Sequence, residues 1–253
     1  MGYDKADQDN KVLLDLRLQV YKHLEKYLKP TSHILELNAG TGIDALYLAG
    51  KSHYVHATDL SDGMIGQIQS KIASNNYSNR LTCQQVSFEN LDRVSNRNFD
   101  YVLSNFGGLN CTQDLSLVTR NLPSLLKPGA YITWVIMPPV CPWELLGLIK
   151  GRWKKAFRRF KKSGTPTHLE GEYFYTYYHS LNNIRKAFGP SFHLMESEGL
   201  AALSPPPHSH KITTEHPTLY RFLRTLDGFL RNTFPFNRWA DHIIVTFQYR
   251  PAP

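Results

Sequence analysis

Cysteine is scarce in this chain. Only Cys83, Cys111 and Cys141 occur in 253 residues, and no two of them stand at CxxC spacing. An odd, scattered set supports neither a disulfide framework nor a zinc site, so no metal is expected. Long apolar runs are also missing; none approaches the roughly 18 residues of a membrane-spanning helix. The opening stretch MGYDKADQDN is polar and acidic, unlike a secretory signal. No internal repeat or low-complexity tract interrupts the chain, apart from the stiff turn at Ser204 to Pro207. These absences lead to the expectation of a reduced, cytoplasmic protein with one substantial core.

Acidic residues are outnumbered, 21 against 29 Lys and Arg, for a net charge of +8. The imbalance is local. Between Glu144 and Glu170 there are eight Lys or Arg and two Glu, which is six of the eight net charges. Leu145, Leu146, Ile149, Trp153, Ala156, Phe157 and Phe160 recur there at helical spacing, with Lys150, Lys154, Lys155, Arg158 and Lys162 elsewhere around the turn. The pattern predicts an amphipathic basic lid helix with a break at Gly151. Three roles are open to it. Its apolar side covers an active-site mouth while its basic side is solvated, or it meets an anionic surface or partner such as a membrane or an acidic carrier protein. Nucleic acid is the weakest of the three.

The most informative stretch is HILELNAGTGIDALYLA, residues 33–49. Ile34 to Leu37 read as a buried strand, Gly40 and Gly42 as a tight turn free of Cβ atoms, and Asp44 to Ala49 as the first turns of a helix. Such a turn aims helix N-terminal amides at a ligand. Gly40, Gly42 and Ala45 also satisfy a dinucleotide G-x-G-x-x-A pattern, with Asp59 about 20 residues on. Glu36 argues otherwise, because a carboxylate at the strand end would face a negatively charged pyrophosphate. A cationic ligand fits better, and S-adenosylmethionine (SAM) carries an ammonium and a sulfonium but no phosphate. A nicotinamide dehydrogenase is the alternative that this acid disfavours.

With Glu36, Asn38, Gly40, Gly42 and Asp59 in place, the chain resembles the class I SAM-dependent methyltransferases, whose first motif has the form (D/E)-x-x-x-G-x-G. Four further segments keep the family order: YVHATDLSDGMI, LTCQQVSFENL, FDYVLSNFGGLN and LLKPGAYITWVIM, so that the likeness spans roughly residues 20 to 137. The resemblance implies that Asp59 holds the ribose hydroxyls, that Met64 contacts the adenine, and that Asn105 lies at the pocket mouth. Ser87 stands where an Asp commonly meets the adenine amino group, which leaves that contact to Ser87 and the backbone of Phe88. The implied fold is α/β and Rossmann-like: a mostly parallel seven-stranded sheet with an antiparallel last strand, helices on both faces and an inserted helical lid. Residues 1–137 form the SAM-binding core with its N-terminal helices, 138–180 the basic and aromatic lid insertion, and 181–253 the rest of the core.

The resemblance implies methyl transfer from SAM to an O, N or C acceptor on a small, hydrophobic biosynthetic molecule. RNA or protein methylation, or a non-catalytic SAM-binding partner module, are the alternatives. The fourth segment reads NFGG and lacks the (D/N)-P-P-(Y/F) form of many methyltransferases that act on base or amide nitrogens. Where an acceptor proton must be removed, a histidine suits the task. His179, after the aromatic run Tyr173 to Tyr178, and His208 and His210, after the triple proline, are the candidates. His242 follows Asp241 and reads as a structural pair. The aromatic run itself reads either as strand packing or as walls for a flat acceptor.

Overall fold

The computed structural model of the protein describes residues 9–169 and 172–251. The start of the polar N-terminal stretch and Glu170 lie outside these residues.

Helix α1 spans Lys11–Leu24 and is capped by Asn10, whose side chain accepts from the Leu13 N–H at 3.2 Å. Val12, Leu16, Val20 and Leu24 recur every fourth residue and form its buried stripe. The chain leaves this helix through turns at residues 25–27, ahead of Pro30. The strands β1 (His33–Leu37), β2 (Tyr54–Asp59), β3 (Leu81–Gln85), β4 (Phe99–Ser104) and β5 (Leu126–Ile136) follow, with α2 (Ile43–Gly50) after β1 and α3 (Asp62–Asn75) after β2. A hairpin, β6 (Thr165–Leu169) and β7 (Glu172–Thr176), comes next. The chain then returns through α4 (Leu181–Phe188), β8 (Phe192–Leu200), α5 (Pro217–Leu230) and β9 (His242–Tyr249).

The main sheet has seven strands in the order β3-β2-β1-β4-β5-β9-β8. Strands β1 to β5 are parallel to one another, and β9 runs antiparallel between β5 and β8. The last strand is therefore antiparallel, as expected, and sits one place in from the edge. Alternate residues point to opposite faces. Leu35, Leu37, Val102, Ile132, Trp134, Val245 and Phe247 face one core with α4, while Ile34, Val55, Tyr101, Leu103, Val135 and Ile244 face a second core with α1 and α2. Both faces are covered, which explains why the strands read as nearly continuous apolar runs.

Glu198 on β8 fastens α1 to the sheet. Its Oε1 meets His23 Nδ1 at 2.7 Å and also Lys26, while His23 Nε2 reaches Thr246 Oγ1 at 2.7 Å. Burial pushes the Glu198 carboxyl up, but His23, Lys26 and Arg231 outweigh it and hold its pKa at about 2. A depressed carboxylate stabilises the fold above its unfolded pKa and loses that contribution as the pH falls to its folded value. Glu198→Gln should therefore lower stability at neutral pH by on the order of 3 kcal/mol, with the gap to the parent closing under acid. Thermal melts taken from pH 7 down to pH 2 check this.

The lid departs from expectation. Instead of one helix, four short helical turns occur, at Pro142–Leu145, Leu146–Lys150, Trp153–Ala156 and Arg158–Phe160. Gly151 does break the run, in a left-handed conformation at φ 66°. The reason for the folding-back is electrostatic. Arg158 Nη2 reaches Glu144 Oε1 at 2.6 Å, although a continuous helix would hold residues 144 and 158 about 21 Å apart. No helix among the described residues is long and apolar enough to cross a membrane.

Candidate functional site

The strand order reverses between β1 and β4, and in open α/β sheets the crevice beyond the carboxyl ends at such a point is where ligands bind. The turn after β1 needs unusual backbone: Asn38, Gly40 and Gly42 have φ of 46°, 55° and 81°. At Gly42 a Cβ would come within 2.9 Å of Ile68, so only glycine serves there. The turn is tied to β2, because the Gly40 N–H donates to Asp59 Oδ2 at 2.8 Å. Asp59 Oδ1 accepts the Ser61 N–H at 2.9 Å. The carboxylate keeps further lone pairs for a ligand's hydroxyls.

Glu36 lies beneath this turn, only 2% exposed, and its Oε2 has no hydrogen-bond partner. Burial, and then the nearby Asp44 and Asp59, raise its pKa well above the carboxylate range, with Arg17 opposing them. A buried acid without a partner is costly and is relieved by a cation.

The end of β4 builds the opposite wall. Asn105 donates to Asp44 Oδ2 at 2.9 Å, and its own Oδ1 accepts the Phe106 N–H at 2.9 Å. That bond holds Phe106 at φ 47°, a left-handed conformation rare for a bulky residue. The Phe106 ring is thereby set between the Arg17 guanidinium, 4.8 Å from its centroid, and the His242 ring, edge-on at 6.0 Å. Asp44 also accepts hydrogen bonds from Arg17 and from Tyr21, the latter at 2.6 Å. A cavity of about 340 Å³ lies between these walls and continues past Gly107 to Met137, Phe174 and Thr176. The hairpin β6–β7 closes it, turning Phe174 and Thr176 inward while Tyr173 and Tyr175 stay exposed. The cover is thus this hairpin. The basic turns that precede it do not line the cavity among the described residues.

Of the predicted cofactor residues, Asn38, Gly40 and Asn105 line this cavity; Glu36 is buried near the end of β1 and Gly42 lies against Ile68, and neither lines it. Asp59, Met64, Ser87 and Phe88 lie off it, along the ends of β2 and β3. Met64 is half-buried at the start of α3. Ser87 Oγ accepts the Glu89 N–H at 3.2 Å, and the Phe88 ring packs into the core, leaving its backbone at the strand end.

The predicted bases are placed elsewhere. His179 is buried, with Nε2 2.9 Å from the Thr112 carbonyl and its pKa lowered by burial. His208 and His210 sit on the loop ahead of residues 212–215, and none of the three lines the cavity. His242 comes nearer. A Cβ on Gly107 would meet its Nε2 at 3.4 Å and Met137 at 3.1 Å, so the ring stands directly behind two lining residues. Asp241 Oδ2 holds His242 Nδ1 at 3.0 Å, and Arg159 Nη2 holds Asp241 Oδ1 at 2.8 Å. Burial works to raise the Asp241 pKa, but His242 and Arg159 together drive it far down, so the acid is ionised. An ionised Asp at Nδ1 orients the ring with Nε2 as the acceptor.

Arg17 and Asp44 were not singled out as site residues from the sequence, whereas Phe174 belongs to the aromatic run read there as possible walls. Asp44 at the N-terminus of a helix behind a glycine turn was the one available signal.

Residues 34–129 match a family model described as a methyltransferase domain. A PKS-NRPS hybrid synthetase of Chaetomium globosum is 29% identical over 110 residues, 41% of this chain; the chain spans only 2% of that protein's length. Among solved structures, a SAM-dependent methyltransferase of Methanosarcina mazei has a TM-score of 0.61 at 15% identity, covering 90% of this chain and 97% of its own. A Burkholderia thailandensis 1,6-didemethyltoxoflavin-N1-methyltransferase, solved with 1,6-didemethyltoxoflavin and S-adenosylhomocysteine, has a TM-score of 0.57 at 15% identity, covering 98% of this chain and 84% of its own. At these identities the structural likeness is one of fold.

Proposed function

We propose that the chain is a class I SAM-dependent methyltransferase, on a methyltransferase-domain match over residues 34–129 and a fold shared with such enzymes, and that it methylates an O, N or C atom of a small, hydrophobic biosynthetic molecule in a cytoplasmic setting. The observation that carries this reading is the cavity itself. It begins at the glycine turn that follows Glu36 and ends among Phe106, Met137 and Phe174, a small apolar chamber suited to a compact acceptor. The three free cysteines support a reducing compartment.

SAM, when bound, supplies an electrophilic methyl group whose C–S bond breaks as the bond to the acceptor forms. Glu36 would balance the cofactor's positive charge, Asp59 would take the ribose hydroxyls, and Asn38 and Asn105 would border its methionyl end. Arg17 stands where it would meet a carboxylate. The hairpin excludes water and Phe174 presses the acceptor toward the methyl group, which is the main work that an in-line displacement needs. For an O–H or N–H acceptor, His242 Nε2 takes the proton, with Asp241 balancing the imidazolium that results.

Glu36 makes this testable without knowing the acceptor. Its raised pKa means that the free protein holds a proton into a range where an ordinary carboxylate has lost it. A bound cation favours the ionised form, so SAM binding should release a proton and tighten as the pH rises through that range. Calorimetry in buffers of different ionisation heat reads the proton; an equal release by Glu36→Gln would contradict the assignment.

The reading as a whole is tested by incubating the protein with methyl-labelled SAM and a panel of hydrophobic phenols, amines and acyl compounds, alongside RNA and protein. Label in an organic extract supports it. Label in RNA or protein favours the macromolecular alternative, and tight SAM binding with no transfer to any acceptor favours a non-catalytic partner module.

A further inference from the structure

Two separated segments of the chain repeat one arrangement. From residue 145 to 162 there is no acid, and the only acid between residues 217 and 239 is Asp227. In each segment the anchoring acid points inward. Glu144 is buried and takes Arg158 and Arg159, and Arg159 also pairs with Asp241, so those two cations are held inward. Asp227 is buried and accepts the N–H groups of Leu203 and Ser204 at 2.7 and 2.9 Å. What remains outside is apolar or cationic.

On the first segment the exposed side chains are Ile149 at 84%, Trp153 at 62% and Phe160 at 50%, among Arg152, Lys154, Lys155, Lys161 and Lys162. On the second, Phe229 is 77% exposed and Phe222 58%, among Arg221 and Arg238, while Arg224 pairs with Asp15 of α1 at 2.9 Å. Both segments are fastened to the same residue of the intervening loop: Trp143 Nε1 donates to the Leu203 carbonyl at 2.9 Å, and Asp227 takes the Leu203 N–H.

We propose that these two faces form one peripheral docking surface for an anionic lipid bilayer. Exposed aromatics and aliphatics interleaved with cations, in segments whose own acids are buried, make the composition of an interfacial segment. Opposite charge draws such a surface to anionic headgroups, and the bilayer then accepts apolar side chains of any shape. An acidic soluble protein would satisfy the cations but would need shaped apolar pockets for both sets of aromatics. The hairpin that closes the cavity begins at Thr165, three residues after the last lysine of the first segment. A bilayer at this surface would bring a lipophilic acceptor close to its point of entry. The proposal stands apart from the methyl-transfer reading, because its test involves no turnover.

The full chain is floated with phosphatidylcholine vesicles, and with vesicles rich in phosphatidylserine, at low and high salt. Binding to the serine-rich vesicles alone, weakened by salt, is expected. The pairs Ile149→Ser with Trp153→Ser, Phe222→Ser with Phe229→Ser, and Lys154→Glu with Lys155→Glu should each weaken it at least about tenfold. SAM affinity measured on the same preparations shows that each variant is folded. Absence of binding to either vesicle, binding untouched by all three pairs, or capture by an acidic carrier protein in place of vesicles overturns the proposal.

Discussion

His242→Ala should lower kcat by about two to four powers of ten on an O–H or N–H acceptor, the usual contribution of a positioned general base. SAM affinity should be almost unchanged, because the ring stands behind Gly107 and Met137 on the acceptor side of the cavity. Asp241→Asn should give a partial loss, since an amide can still bond Nδ1 but neither fixes the tautomer nor balances the imidazolium. A kcat that survives His242→Ala would reduce the pair to a structural contact.

Asp59→Ala should weaken SAM binding about 10- to 150-fold, the loss of hydrogen bonds to a charged group worth about 1.5–3 kcal/mol. Part of that loss is indirect. Asp59 also accepts the Gly40 N–H, so its removal loosens the turn that presents the cofactor amides. Asp59→Asn separates the two effects: it keeps an acceptor for Gly40 but no longer takes both ribose hydroxyls as a carboxylate does. An intermediate affinity for the Asn variant, read by calorimetry, is expected. Unchanged affinity in a folded Ala variant would remove Asp59 from the site.

The alternation of strand and helix and the glycine turn were legible because each is a local pattern. Period-two burial, positive φ at Gly40 and Gly42 and an acid at a strand end need no distant partner to be recognised. The lid was misread for the opposite reason. Its helical spacing is real, but Arg158 turns back to Glu144, fourteen positions earlier, and Arg159 crosses to Asp241; no periodicity records such pairings. The position of His242 was hidden likewise. It is adjacent to Asp241 in sequence, which reads as local structure, and only the sheet brings it behind Gly107. Arg17 reaches the cavity from α1, more than a hundred residues before the hairpin that faces it, and has an ordinary local context.

The NFGG run constrains how this sequence can drift. A Cβ at Gly108 would overlap the Asn38 side chain, which is itself held by Ser104 and by the Asn105 carbonyl. The two positions are therefore not independent. A larger residue at 108 becomes admissible only after 38 has shrunk, and shrinking 38 first strips the hydrogen bonds that hold the β1 and β4 ends together. Each single step is worse than either end state, so the pair is an epistatic lock: lineages that keep Asn38 should also keep a glycine seventy residues later.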